Sequence, residues 1–194
     1  MKEFQKLVDD AAKESLDLVI NNASYAHAEV LFKKIVSNAN NTLSLLTGRC
    51  NCNFYKIPGI LEAFSSFAKN KKGKLKIIFE EGLSKEDIKN NILVTKLKES
   101  YDEQENFMVY QLKNNDNITT PDKDRFHMLI ADTNGPYRFE THHLKDDSET
   151  YDGRDLKDRV TDAIANFGDS GKSELLSNFF DKQIKENSTR IFLN

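Results

Sequence analysis

Thr42-Leu43-Ser44-Leu45-Leu46-Thr47-Gly48 is a short apolar run closed by glycine, and it reads as a buried strand. Its flanks decide what kind of sheet it joins. Upstream, Ser24 stands as an N-cap before Tyr25, Ala28, Leu31, Phe32, Ile35, Val36 and Ala39, which share one helical face until the polar stretch Asn38 to Asn41 ends it. Downstream, Pro58 suits the first turn of a helix carrying Ile60, Leu61, Phe64, Phe67 and Ala68. Lys69-Asn70-Lys71-Lys72-Gly73 stops that helix, and Lys74 to Glu80 is the next strand. Ser84-Lys85-Glu86-Asp87 resembles a capping box and opens a helix with Ile88, Ile92 and Leu97 inward, before a strand from Phe107 to Leu112. Strands that alternate with helices need crossover connections, so this half predicts a parallel α/β core.

The pattern changes beyond Leu112. Asn114 to Lys123 is a polar loop, and two strands follow, Arg125 to Ala131 and Tyr137 to His142. Between them lies Asp132-Thr133-Asn134-Gly135-Pro136, dense in turn formers. Lys145 to Asp158 is strongly charged and reads as an exposed loop. The spacing of Val160 to Phe167 fits a strand and also a helix. A helix from Ser170 to about Glu186 places Leu175, Leu176, Phe179, Phe180 and Ile184 on one side, and Arg190 to Leu193 adds a terminal strand. At the other end, Phe4, Leu7, Val8, Ala11, Leu16 and Val19 predict a helix through residues 2–22. The expected fold is one mixed α/β domain over residues 1–194. Its sheet is largely parallel with an antiparallel hairpin, helices cover both faces, and residues 1–22 are a helical appendage.

Composition excludes several classes of function. The 194 residues carry 28 Lys+Arg against 31 Asp+Glu, a net charge of −3, which argues against a surface built wholly as a polyanion clamp. Thirteen Phe and no Trp predict a core of phenylalanine and aliphatics. No apolar run approaches the ~18–20 residues a bilayer span requires, and Met1 to Gln5 has no secretory apolar segment, so a cytoplasmic protein without membrane contact is expected. Cys50 and Cys52 are one residue apart; bridging them would strain the ring, and reduced thiols are expected. The pair lacks the further donors a zinc site needs, so neither metal nor other cofactor is expected.

Chemistry concentrates on the hairpin. Alternation puts Phe126, Met128 and Ile130 on one face of their strand, with Tyr137 and Phe139 joining them from the next. The opposite face then holds Arg125, His127, Arg138, Glu140 and His142. A symmetric turn sets His127 opposite His142, with Glu140 beside both. Two arginines, two histidines and a carboxylate on one face suit phosphate binding or proton transfer. A hairpin with one face packed and the other solvated yields the same alternation.

Four passages resemble the phospholipase D superfamily. Ala28 to Ala39 followed by Thr42 to Thr47 is similar to its opening helix and first strand, and Pro58 to Phe79 to the next helix and strand. Arg125-Phe126-His127-Met128-Leu129-Ile130-Ala131-Asp132 falls where the family has HxKxxxxD. Ala163 to Asp169, leading into Leu175 to Phe180, resembles its last strand and helix. The motif is degenerate. Aligned on Asp132, Arg125 replaces the nucleophilic histidine and His127 the lysine; aligned on His127, Leu129 replaces the lysine and Asn134 the aspartate. Arginine stays protonated and offers no lone pair, yet it binds phosphate bidentately. The resemblance therefore implies a metal-independent fold that has lost its standard nucleophile. In it Arg125, Arg138 and Asp132 bind ligand. Any surviving catalysis, as a phosphodiesterase or nuclease, runs through His127 with Glu140 and a second histidine, from His142, His143 or a dimer partner. A single motif implies a homodimer.

Three other features carry little chemistry. Gly171-Lys172-Ser173 ends like a phosphate-binding loop, but Asn166 stands where that pattern requires glycine. The basic run Lys69 to Lys74 suits a helix C-terminus, and His27 suits packing or capping. The expected partner is a small phosphate-bearing ligand or another protein, with nucleic acid less favoured against the acidic background.

Overall fold

The computed structural model describes residues 1–22, 24–48, 53–71, 73–101, 105–122, 124–142 and 162–193, with the backbone alone for residues 53, 70, 71, 142 and 162. Cys50, Cys52, His143 and the acidic stretch 146–158 therefore lie outside the described residues.

Along the chain come α1 (Lys2–Glu14), β1 (Ile20–Asn22), α2 (Tyr25–Asn38), β2 (Thr42–Thr47), α3 (Pro58–Ser66) and β3 (Lys74–Phe79). Next are α4 (Lys85–Lys89), α5 (Ile92–Lys98), β4 (Phe107–Leu112), β5 (Arg125–Ala131) and β6 (Tyr137–His142). The last three are β7 (Asp162–Asn166), α6 (Ser170–Asn187) and β8 (Ser188–Ile191). The described strands form one sheet in the order β1-β7-β6-β5-β2-β3-β4-β8. The mixed α/β class is as expected. Parallel pairing is concentrated at β2–β3–β4, where helical crossovers intervene, and the other neighbours are antiparallel. The extra antiparallel share arises because β5, β6 and β7 are sheet neighbours in chain order, each running against the one before it.

Helices cover both faces. On one, α1 to α5 bring Val8, Leu31, Phe32, Ile35, Ile60, Phe64, Ile88 and Leu97 against Leu43, Leu45, Leu75, Ile77, Val109 and Leu129. On the other, α6 lays Phe180, with Leu176, Phe179 and Ile184, over Leu46, Ile78, Met128, Ile130 and Tyr137.

Some element boundaries differ from the periodicity reading, and each has a local cause. The first helix stops at Glu14 because Ser15 adopts the left-handed conformation, φ 48°. Leu16 and Val19 are consequently exposed, and Ile20–Asn22 pairs with β7 as a sheet edge. The helix opened by Ser84 is two: the capping box is present, but Asn91 starts α5 afresh by accepting from the Leu93 amide at 3.0 Å. The segment left open between helix and strand forms β7. Asp169 caps α6, accepting from the Lys172 amide at 2.9 Å. That carboxylate occupies the anion position of the helix terminus, which leaves the Gly171-Lys172-Ser173 signature a structural explanation.

Candidate functional site

β5 runs antiparallel to β2, so its first residues lie beside the C-terminal ends of the parallel strands β2 and β3. Ligands of open α/β sheets bind at this end. The hairpin register differs from a symmetric turn. The Ala131 amide donates to Pro136 O at 2.9 Å, and the strands pair as His127↔Glu140, Arg125↔His142 and Leu129↔Arg138. Asp132 leaves the ladder immediately, with φ 56° and its side chain committed elsewhere, which shifts the pairing. His127 therefore faces Glu140 directly instead of His142. His142 lies opposite Arg125 by its backbone, and its side chain is outside the described residues.

The remaining polar residues form a chain of alternating charge. Arg125 Nη1 donates to Glu80 Oε2 at 2.6 Å, and Glu80 Oε1 meets His127 Nε2 at 2.6 Å. On the other side of the ring, His127 Nδ1 stands 3.6 Å from Glu140 Oε1, and Glu140 Oε2 pairs with Arg138 Nη2. The solvated-face alternative does not hold. Side-chain exposure falls from 28% at Arg125 to 15% at His127 and 3% at Arg138. The cover is aromatic: the Phe32 ring of α2 lies 5.1 Å from the Arg138 guanidinium carbon, and Phe54 meets Phe32 edge-on at 4.8 Å.

Glu80 was assigned no role from the sequence. It follows β3 and is separated from β5 by the line of β2, a gap of roughly two strand spacings, ~9.5 Å. The two side chains meet because Gly48 lies between them. A Cβ placed on Gly48 would stand 3.2 Å from His127 Cε1 and 3.7 Å from Glu80 Oε1. The signal was present: a glycine closing one apolar strand and a carboxylate closing the next. Reading it required the strand order.

Electrostatics bias the protonation states. Burial disfavours charge on His127, but hydrogen bonds and charge from Glu140 and Glu80 outweigh it and raise the imidazole pKa above its ordinary value. Burial also opposes ionisation of Glu80, yet His127 and Arg125 prevail and hold its carboxyl below the usual range. Both shifts favour the charged forms, an imidazolium between carboxylates. Such a ring donates from both nitrogens and has no lone pair for phosphorus or for a metal. Among the described residues no group of three or more His, Cys, Asp or Glu side chains could hold a metal ion.

Asp132 is not brought to this cluster. Its Oδ2 accepts from the Asn40 amide at 2.9 Å, and its Oδ1 accepts from the Asn41 and Thr42 amides, each at 2.8 Å. It ties the turn between α2 and β2 at the opposite end of β5. His27 packs: its ring stacks on Phe4 with centroids 3.8 Å apart.

No protein-family model matches the sequence, and no curated protein does. Solved structures do. TrmBL2, described as an archaeal chromatin protein with a novel mode of DNA binding, superposes with a TM-score of 0.56 at 16% identity, covering 96% of this chain and 61% of its own. A phosphatidylserine synthase of Haemophilus influenzae Rd KW20 gives 0.53 at 11% identity, covering 89% of this chain and 39% of its own. What they share with this chain is the fold. The chain spans about three fifths of the first and two fifths of the second. Among the described residues no helix is long and apolar enough to cross a membrane.

Proposed function

We propose that this chain is a phospholipase D-like module without a working nucleophile, one that holds a phosphate-bearing ligand or a protein partner instead of cleaving a phosphodiester. The observation that carries the reading is His127 set between two carboxylates, 2.6 Å from Glu80 and 3.6 Å from Glu140. An attacking histidine must present a free ring nitrogen to phosphorus. Arg125, at the position of the family's histidine, cannot replace it. The fold leaves the choice open, since it is shared with a synthase and with a chromatin protein described as binding DNA. Function is therefore argued from the site. By analogy with single-motif members, the module is a homodimer.

The competing reading, a phosphodiesterase or nuclease with a rearranged His127 site across that dimer, draws on the likeness to the synthase. One assay separates them. Purified protein is incubated with a chromogenic phosphodiester and with single- and double-stranded nucleic acid, with and without EDTA, beside a His127→Ala control. No turnover is expected. Turnover that disappears in His127→Ala overturns the non-catalytic reading.

A further inference from the structure

Glu80 occupies the place a ligand oxyanion would take. Arg125 and His127 lie two residues apart on one face of β5, roughly 7 Å between Cα atoms, a spacing that brackets a single oxyanion. The group bracketed is the Glu80 carboxylate, with one oxygen on each cation at 2.6 Å. It comes from another strand, over Gly48, whose missing side chain leaves the passage. The fit is incomplete. Glu80 engages Arg125 through Nη1, while the buried Arg125 Nε has no hydrogen-bond partner among the described residues. A carboxylate here leaves half of the guanidinium fork unused; a phosphoryl group, with three oxygens, can fill it. Charge agrees. Arg138 and Glu140 neutralise each other, so Arg125 and His127 face one carboxylate, and with the ring protonated the locality keeps one positive charge. Arg125 is the most exposed member of the chain.

We infer that Glu80 is an internal anion that keeps the Arg125–His127 cradle closed, and that a phosphoryl oxyanion binds there by displacing it. The inference rests on the reading above, that the site binds without cleaving. It adds the gate and the chemical class of the ligand.

The test titrates inorganic phosphate into the full-length protein, its Glu80→Gln variant and the double variant Glu80→Gln/Arg125→Ala, read by calorimetry, with circular dichroism to establish folding. Glu80→Gln keeps the side-chain shape and removes the competing charge. Phosphate should bind it at least about tenfold tighter than wild type, a change of roughly 1.4 kcal/mol, and the double variant should lose the gain. Equal affinity in wild type and a folded Glu80→Gln overturns the gate. Should Glu80→Gln not fold, Glu80→Asp serves: it retracts the carboxylate by one methylene, and phosphate affinity above wild type is expected. An Asp variant indistinguishable from wild type overturns the inference. Failure here is distinct from failure of the non-catalytic reading, which only turnover by the wild type overturns.

Discussion

Glu80→Ala removes the carboxylate that links the end of β3 to β5. Glu80 is 8% exposed in its side chain and takes a 2.6 Å hydrogen bond from each of two cations. Deleting one partner of a buried pair costs ~3–5 kcal/mol, mostly because the charge left behind is uncompensated. Two reliefs operate here. Arg125 is 28% exposed, so water can reach part of its guanidinium. His127, without Glu80, has less reason to stay protonated and can discharge. The loss should therefore fall at the low end, about 3 kcal/mol. With a urea m-value of about 2.5 kcal/mol per molar, the midpoint drops by about 1 M.

The assay is urea unfolding at pH 6, followed by far-ultraviolet circular dichroism and by tyrosine fluorescence, whose coincidence tests two-state behaviour. A cycle with His127→Ala sharpens it. If the two residues act through one contact, the double variant departs from additivity by roughly 1–3 kcal/mol. A single-variant loss under ~1 kcal/mol, the scale of exposed ion pairs, would refute the claim that Glu80 is a buried link. So would additivity within ~0.5 kcal/mol, the level shown by residues that do not touch.

Other consequences follow from the same geometry. Because His127 has a raised pKa, its contribution is complete below about pH 6.5 and is lost as pH climbs through the folded value; Glu80, with a lowered one, contributes above about pH 4.3 and fails as pH falls through its folded value. Urea midpoints should peak between these limits, and His127→Gln should flatten the alkaline decline; an unchanged alkaline limb speaks against it. Asp132→Ala loses acceptors for three backbone amides and should cost about 1–2 kcal/mol, as a lost cap does, while leaving phosphate affinity of the Glu80→Gln protein unchanged. Abolished binding in a folded Asp132→Ala background returns Asp132 to the site. Gly48→Val should destabilise by about 1–3 kcal/mol through overpacking, and force Glu80 and His127 apart. Nuclear magnetic resonance titration should then show the His127 pKa falling; a rise contradicts the bridging geometry.

The sequence carried the layers of this fold better than its seams. Leu43 and Leu45 against Leu46, and Leu129 against Met128 and Ile130, alternate as the two cores require, so strands and faces were legible from period alone. The ends were not, because they depend on single backbone events: the left-handed Ser15, the fresh cap at Asn91, the early exit of Asp132. That last event moved the hairpin register and exchanged His142 for Glu140 as the partner of His127. The site was half legible. Arg125, His127, Arg138 and Glu140 share a face, as alternation demands. Glu80 lies 47 positions from His127 in the chain, and no local pattern joins them. Nor does alternation reveal that Phe32 covers what would otherwise be a solvated face.

That cover changes the chemistry the same residues can perform. A polar face in water lets a histidine titrate freely and meet a substrate as a base. Under α2, with water largely removed, each charge needs a fixed partner, and the chain Arg125–Glu80–His127–Glu140–Arg138 supplies one for every member. The contacts that make burial tolerable are the contacts that occupy both nitrogens of the ring. Stability of the cluster and nucleophilicity of His127 are thus opposed, as they commonly are where a reactive group is fully satisfied. Restoring a nucleophile would require more than a histidine at position 125. Glu80 would have to leave as well, since it would hold any imidazole on that face in its protonated form.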